Sequence, residues 1–311
     1  MMQPSVPAIL PILEERYMNK MLGNKKAVAL FALPALLVFT IFVFYPILQT
    51  VFRSFYEWDG INQAVFNGIE NYKELFQDDL FYESLKNGVI FAGILMVFQV
   101  GGATLLTFAM MNRKVKGKRF FRTAFFIPVV LSVTVVCQLW SAIYNPEFGL
   151  INHFFEILGI GYRQDWLSDM TLAIYAVTFV NVWQYTGYQF AIIYAGAKAI
   201  PEDYLEAARI DGASEWKINT RIILPLLKDT YRMCFVFAIT GGLNAFAHMN
   251  LLTKGGPGTS TYTLTYMTFR NAFTVGEFGY GCTSAIILVL QCLIATVIVN
   301  KIFSIKESAT Y

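Results

Sequence analysis

The sequence predicts an all-α integral membrane protein with six transmembrane helices, and three observations carry that prediction. Of 311 residues, 56% are hydrophobic and 14% charged, and mean hydropathy is +0.50, a balance foreign to a soluble core. Apolar runs near the length of about 20 residues that a helix needs to cross roughly 30 Å of hydrocarbon recur at 27–52, 87–111, 123–144, 171–195, 233–250 and 281–300. All 24 Lys and Arg and all 21 Asp and Glu lie outside these runs, as expected when an ionised side chain in hydrocarbon costs at least about 2.5 kcal/mol. The same absence argues against a proton- or sodium-coupled carrier, which would need an intramembrane carboxylate or His relay. His248 is the one His inside a segment.

Orientation follows from the basic residues, which number 4, 3, 6, 1, 6, 2 and 2 in successive regions outside the segments. The excess on alternate regions places both termini in the cytoplasm. The loop "NRKVKGKRFFR", Asn112 to Arg122, has six basic and no acidic residues and reads as a topology determinant beside anionic lipid. Residues 1–26 carry Glu14 and Glu15 and lack a short apolar core with a cleavage site. The first apolar run is therefore expected to act as an uncleaved anchor. The organisation expected is a cytoplasmic segment 1–26, a membrane domain 27–303 and a tail 304–311.

Segment one contains Pro34 and Pro46, predicting kinks and packing within a bundle that satisfies the freed carbonyls. In the outward loop 53–86, Tyr56 and Trp58 read as interfacial anchors. The pairs Gly101–Gly102 and Gly241–Gly242 predict close helix approach. In the outward loop 145–170 the periodicity predicts a short helix from Leu150 to Leu158, with His153 on its surface. Gly255, Gly256, Pro257 and Gly258 predict tight turns between segments five and six. Cys137, Cys234, Cys282 and Cys292 lie in or beside segments without metal-ligand spacing and read as small hydrophobes. No phosphate loop, H-E-x-x-H zinc motif or serine nucleophile elbow occurs.

The polar stretch "EAARIDGASEWKINTRIILP", Glu206 to Pro225, interrupts this apolar chain on the cytoplasmic side. Pro201, Glu202 and Asp203 suit the first turn of a helix running to Ile210. Gly212 supplies the left-handed position that ends it. Ser214 can cap a second helix carrying Ile218 and Ile222, which Pro225 ends. Ala207 and Ala208 leave room for another surface, and Glu206 lies within i+3 reach of Arg209. A solvated helical hairpin and a docking element for a soluble partner both fit.

The spacing of Glu206, Ala207, Ala208, Gly212, Ile222, Leu224 and Pro225 resembles the signature loop of membrane subunits of binding-protein-dependent ABC importers. "LPALLVFTIFVFYPI", "NPEFGLIN", "VNVWQYTGY", "KAIPEDYLEAARIDGA" and "LLTKGGPG" are similar to the sugar-uptake branch, in particular to the type of the larger maltose permease subunit. The resemblance covers nearly all of 27–303 and implies the six-helix type I permease core, with a coupling loop at 196–230. It lacks the two additional N-terminal helices and large outward domain of that subunit.

What the resemblance implies is a division of labour. A short cytoplasmic helix docks in a cleft of an ATPase subunit through Glu206, Ala207, Ala208, Arg209, Asp211 and Gly212. ATP and Mg bind two such ATPase subunits, and this chain binds no cofactor and is not an enzyme. A second, nonidentical permease subunit and an external solute-binding protein complete the assembly in a bacterial inner membrane. Nucleic acid has no role.

Sugar sites need amides for hydroxyls and aromatic faces for rings. Asn181, Gln184, Tyr185 and Tyr188 share one face of segment four, and matching of the "VNxW" stretch places them at substrate-lining positions. Gln184 and Tyr185 stand where the maltose subunit has Leu and Gly, which argues against maltose. Thr240, Asn244 and His248 of segment five and Gln138 of segment three join the candidates, each with an interhelical hydrogen bond as its structural alternative. The expected substrate is a carbohydrate, such as an oligosaccharide, with glycerol phosphate or an acidic glycan as alternatives. A secondary sugar carrier and a lipid-linked glycosyltransferase are the rivals from other classes.

Overall fold

A computed structural model describes residues 25–303, about three quarters of them helical. Residues 1–24 and 304–311 lie outside the described residues, so the expected tail and most of the expected N-terminal segment do too. Contacts divide the chain into two units, Met1–Arg53 and Ser54–Tyr311.

The described part of the first unit is one long helix, α1 (Val28–Arg53). Pro34 sits inside it, and a π-turn at Thr40–Phe44 precedes Pro46. A wider turn relieves the clash between a proline ring and the carbonyl four residues back, so the helix continues where kinks were expected. No residue of the Thr40–Arg53 stretch is buried.

The second unit opens with the hairpin β1 (Tyr56–Glu57) and β2 (Val65–Phe66), antiparallel with Tyr56 opposite Phe66. Asn71, on α2 (Glu70–Gln77), donates to the carbonyls of Ser54 and Tyr56. Tyr56 and Trp58 are thus parts of a folded cap: Trp58 packs on Phe278 at 5.7 Å and bonds the carbonyl of Asn62.

Segment two lies within α3 (Asp79–Met111), 33 residues long. Segment three is two helices rather than one: α4 (Lys118–Val130) and α5 (Val133–Ile143) meet at 98°. After Pro128 removes one ladder bond, Leu131 and Ser132 turn the chain sharply. The outward helix α6 (Leu150–Ile157) follows as expected, with His153 exposed and beside Glu156 at 3.3 Å. Segment four is α7 (Ala173–Ala199).

Segment five, expected unbroken to 250, ends earlier. Helix α10 (Lys228–Leu243) stops and α11 (Ala247–Leu252) restarts after a break at Asn244–Phe246. Beyond it come α12 (Leu264–Arg270) and segment six, α13 (Phe278–Phe303). Helices α8 (Glu202–Ile210) and α9 (Glu215–Ile218), between α7 and α10, form the polar hairpin described below. By length and composition α1, α3 and α13 each suffice to cross a membrane, and the bent pair α4–α5 counts as one more. Segments four and five fail that test for definite reasons: α7 carries Asn181, Gln184 and Gln189, and α10 is interrupted.

The core is helix on helix. Helix α7 packs against α3 and α4, while α10 packs against α3 and α13. A Cβ on Gly242 would fall 2.6 Å from the Ala92 Cα, so glycine lets α10 approach α3 there. Gly102 faces Thr186 at ordinary contact distance, whereas Gly101 and Gly241 face open space and serve no close packing. Cys137 and Cys234 are buried, Cys282 and Cys292 partly so.

Candidate functional site

The second helix break and Val133, the first residue after the first break, line one cavity of about 490 Å³, bounded by α3, α5, α7, α10 and α11. Broken helices leave carbonyls without partners, a cost of several kcal/mol each in hydrocarbon unless side chains restore the bonds. At the first break the Gln184 amide donates to the Leu131 carbonyl at 3.2 Å. At the second, Thr263 Oγ1 donates to the carbonyl of Ala245 at 2.9 Å and Thr265 Oγ1 to that of Leu243 at 3.1 Å. The "STYTLT" run after the Gly-Gly-Pro loop therefore holds the broken helix. Gly255 and Gly258 of that loop have φ of 82° and 58°, as the tight turns require, whereas Gly256 does not adopt positive φ.

A buried hydrogen-bond chain crosses the site. His248 Nε2 lies 3.0 Å from Gln184 Oε1, which can only accept, so Nε2 carries the proton. Nδ1 is then free to accept from the Asn181 amide at 3.4 Å. The Tyr185 ring stands edge-on to His248 at 6.2 Å. Close approach of α7 and α4 nearby depends on Gly187, where a Cβ would lie 1.9 Å from the Phe125 carbonyl oxygen.

Of the residues expected from sequence, Asn181, Tyr185, Tyr188, Asn244 and His248 line the cavity together. Three do not. Gln184, 1% exposed, lies behind the wall and is occupied by Leu131 and His248. Thr240 turns its hydroxyl back to the Val236 carbonyl. Gln138 is exposed on α5 and is not part of the lining. Gln99 and Gln189 line the cavity without having been expected. Their signal was available: Gln99 is an amide deep in an apolar run, and Gln189 falls at helical spacing from Asn181 and Tyr185. No charged side chain lines the cavity.

The second candidate element is the polar hairpin. Helix α8 (Glu202–Ile210) begins after Pro201, which caps it from outside rather than occupying its first turn. It ends in a Schellman motif: Ala213 N donates to Ala208 O, Gly212 N donates to Arg209 O, and Gly212 adopts φ of 76°. Ser214 then caps α9 (Glu215–Ile218) by accepting from Lys217 N. A π-turn at Asn219–Ile223 precedes Pro225, so the chain stays helical through Leu226, where an end at Pro225 was expected.

Leu205 and Ile218 anchor the hairpin in the core. Ala208 packs against that core, so only Ala207 of the alanine pair is left to face outward. Beside Ala207, Tyr204, Glu206, Ile210, Asp211 and Gly212 are exposed, Ile210 at 85%. Glu206 does not pair with Arg209. Arg209 reaches Glu215 at 3.0 Å and Glu202 at 3.5 Å, while Arg113 binds Glu202 at 2.6 Å and Glu206 at 2.9 Å. Hydrogen bonding from Arg113 holds the Glu202 carboxyl below its ordinary range. The basic loop thus does more than set topology, since Arg113 ties it to α8. Among the described residues no group of His, Cys, Asp and Glu could hold a metal.

The fold and the sequence have relatives. Residues 107–305 match the model of the binding-protein-dependent transport system inner membrane component family. A probable ABC transporter permease protein of Bacillus subtilis, YurN, is 37% identical over 283 residues, covering 90% of this chain and 97% of its own. The diacetylchitobiose uptake system permease protein NgcF of Streptomyces coelicolor is 30% identical, covering 85% and 78%. A crystal structure of a bacterial ABC transporter for the acidic polysaccharide alginate contains a chain with a TM-score of 0.79 at 20% identity, over 93% of this chain and 98% of that one. That likeness establishes the fold of an ABC importer permease. With the family model covering most of the chain and the apolar helices α1, α3 and α13 able to cross a bilayer, this chain belongs to the binding-protein-dependent transport system inner membrane components as a multi-pass membrane permease.

Proposed function

We propose that this permease passes a neutral carbohydrate, such as an oligosaccharide, through the cavity between α3, α7 and α10, with ATP hydrolysed by separate subunits. The observation that carries the reading is the lining. Amides, aromatic rings and one imidazole surround an uncharged space, the chemistry that suits hydroxyls and the C–H faces of a sugar ring. An anionic substrate such as glycerol phosphate or a uronate would call for Arg or Lys in the wall, and the wall has none. The sugar-uptake relative in Streptomyces coelicolor supports the same class.

Coupling would run through the hairpin. Exposed Glu206, Ala207, Ile210, Asp211 and Gly212 present a small, mixed surface on a helix whose other side is anchored by Leu205. In this reading an ATPase subunit receives α8, Glu206 accepts from a donor on that subunit, Gly212 shapes the turn, and Arg209 orders the hairpin through Glu215. Closure of two ATPases, which hold the ATP and Mg, then moves this chain against a second, nonidentical permease half. An external binding protein delivers substrate, and both termini face the cytoplasm. The test is uptake into proteoliposomes holding the assembled complex and its binding protein. ATP-dependent accumulation of neutral oligosaccharide is expected, with no ATPase activity from this chain alone. Uptake that survives without ATP, or that is confined to glycerol phosphate, would overturn it.

A further inference from the structure

The expected substrate residues account for part of the cavity lining, on α7, α10 and α11. Helix α3 lines the cavity as well, and Gln99 is its polar contribution. Gln99 is 3% exposed and its side chain lines the cavity. Gln99 ends the π-turn Leu95–Gln99, and Leu95, one turn away, lines the same wall. Isolated π-turns recur at functional sites because they redirect a side chain that a regular helix would aim elsewhere. This turn packs against both α7 and α10.

Gln189 lines the same cavity from α7, eight residues from Asn181 and four from Tyr185, on their face of the helix. Its Nε2 donates to the Cys234 carbonyl at 3.3 Å, which fixes the amide and leaves Oε1 as a buried acceptor without a partner. Two amides, one of them with a buried acceptor that has no partner among the described residues, therefore line a cavity that already holds an amide and aromatic set.

We propose that Gln99, completed by Gln189, is a second hydroxyl-binding subsite that selects the ring orientation of a neutral pyranose in the cavity. The proposal rests on the carbohydrate reading above. A pyranose presents hydroxyls around its whole rim, and an amide can donate to one and accept from its neighbour. With Gln99 lining the cavity alongside Asn181, Asn244 and His248, a ring is held at several hydroxyls, and an epimer that withdraws one hydroxyl loses a bond.

The complex of this chain with its partner permease and ATPase subunits, purified in detergent, is titrated by equilibrium dialysis with tritiated trehalose, maltotriose and diacetylchitobiose. For whichever sugar binds the native complex, Gln99→Met should weaken binding about tenfold, the loss of one well-placed hydrogen bond. Gln99→Asn should recover part of it, and the thermal midpoint should stay within about 2 °C. Unchanged affinity in Gln99→Met overturns the subsite alone. Failure of the native complex to bind any of the three overturns the carbohydrate reading and the subsite with it. Should Gln99→Met not assemble, Gln99→Cys is treated with a methanethiosulfonate reagent. Protection by bound sugar is expected, and labelling at the same rate with and without sugar overturns the proposal.

Discussion

The cavity and the polar hairpin are built on opposite plans. In the hairpin every stop and start is local: Ser214 accepts from Lys217 three residues on, Ala213 reaches back to Ala208, and Gly212 takes the left-handed position. In the cavity the decisive bonds span the chain: Gln184 to Leu131, His248 to Gln184, Thr265 to Leu243. The hairpin's ion pairs stand half in water, with side chains of Arg113, Glu202 and Glu206 about half exposed. The cavity's bonds are sealed. The first kind is inexpensive to break and free to exchange partners, and the second holds a shape.

The sharpest way to break that contrast is at Gly187. Gly187→Val would drive a side chain into the Phe125 carbonyl, where overpacking costs about 1–3 kcal/mol and more when the obstacle is backbone. Loss of monodisperse permease on size-exclusion chromatography is expected, and normal yield would show that α4 and α7 are free to separate. Next comes His248→Leu, which strands Gln184 Oε1 and the Asn181 amide. A destabilisation of about 2–4 kcal/mol should follow, each stranded group contributing about 1–3 kcal/mol. Thermal unfolding measures it, and a shift no larger than that of a surface variant would remove the network from the fold's supports.

Glu206→Lys should change the permease's own stability by about 0.5 kcal/mol or less, as exposed ion pairs do, yet abolish co-purification with the ATPase subunit or uncouple its hydrolysis from transport. Unchanged transport would sink the docking role. Arg113→Ala should be comparably mild in stability, within about 1 kcal/mol. It tests whether Glu206 is held by its own chain before a partner arrives, with tighter ATPase association as the expected outcome.

The same contrast explains what could be read in advance. The hairpin's limits followed from Pro201, Gly212 and Ser214, because capping is set by residues within four positions of one another. Its ion pairs did not follow, since Arg113 lies 93 residues before Glu206 and sequence spacing favoured Arg209. In the cavity, the polar positions of α7 were visible as amides and rings at helical spacing. Gln184 nevertheless turned out to brace a break, and Gln138 to lie outside, because periodicity places residues on a face without saying which neighbour covers it. The breaks themselves were hidden in runs of uninterrupted apolar character. Pro128 hinted at the first, while nothing in "GGLNAFAHMN" announced the second.

By itself the sequence determined the membrane setting, the helical class, the polar helical hairpin and the exclusion of charge from the apolar segments. All of these follow from transfer free energy and from short-range backbone chemistry, which act residue by residue. Only the tertiary structure decided that segments three and five are broken, that Thr263, Thr265 and Gln184 heal the breaks, and that Gln99 and Gln189 meet Asn181 and His248 at one cavity. Those outcomes depend on which carbonyl lies beside which side chain, and packing of helices distant in sequence settles that.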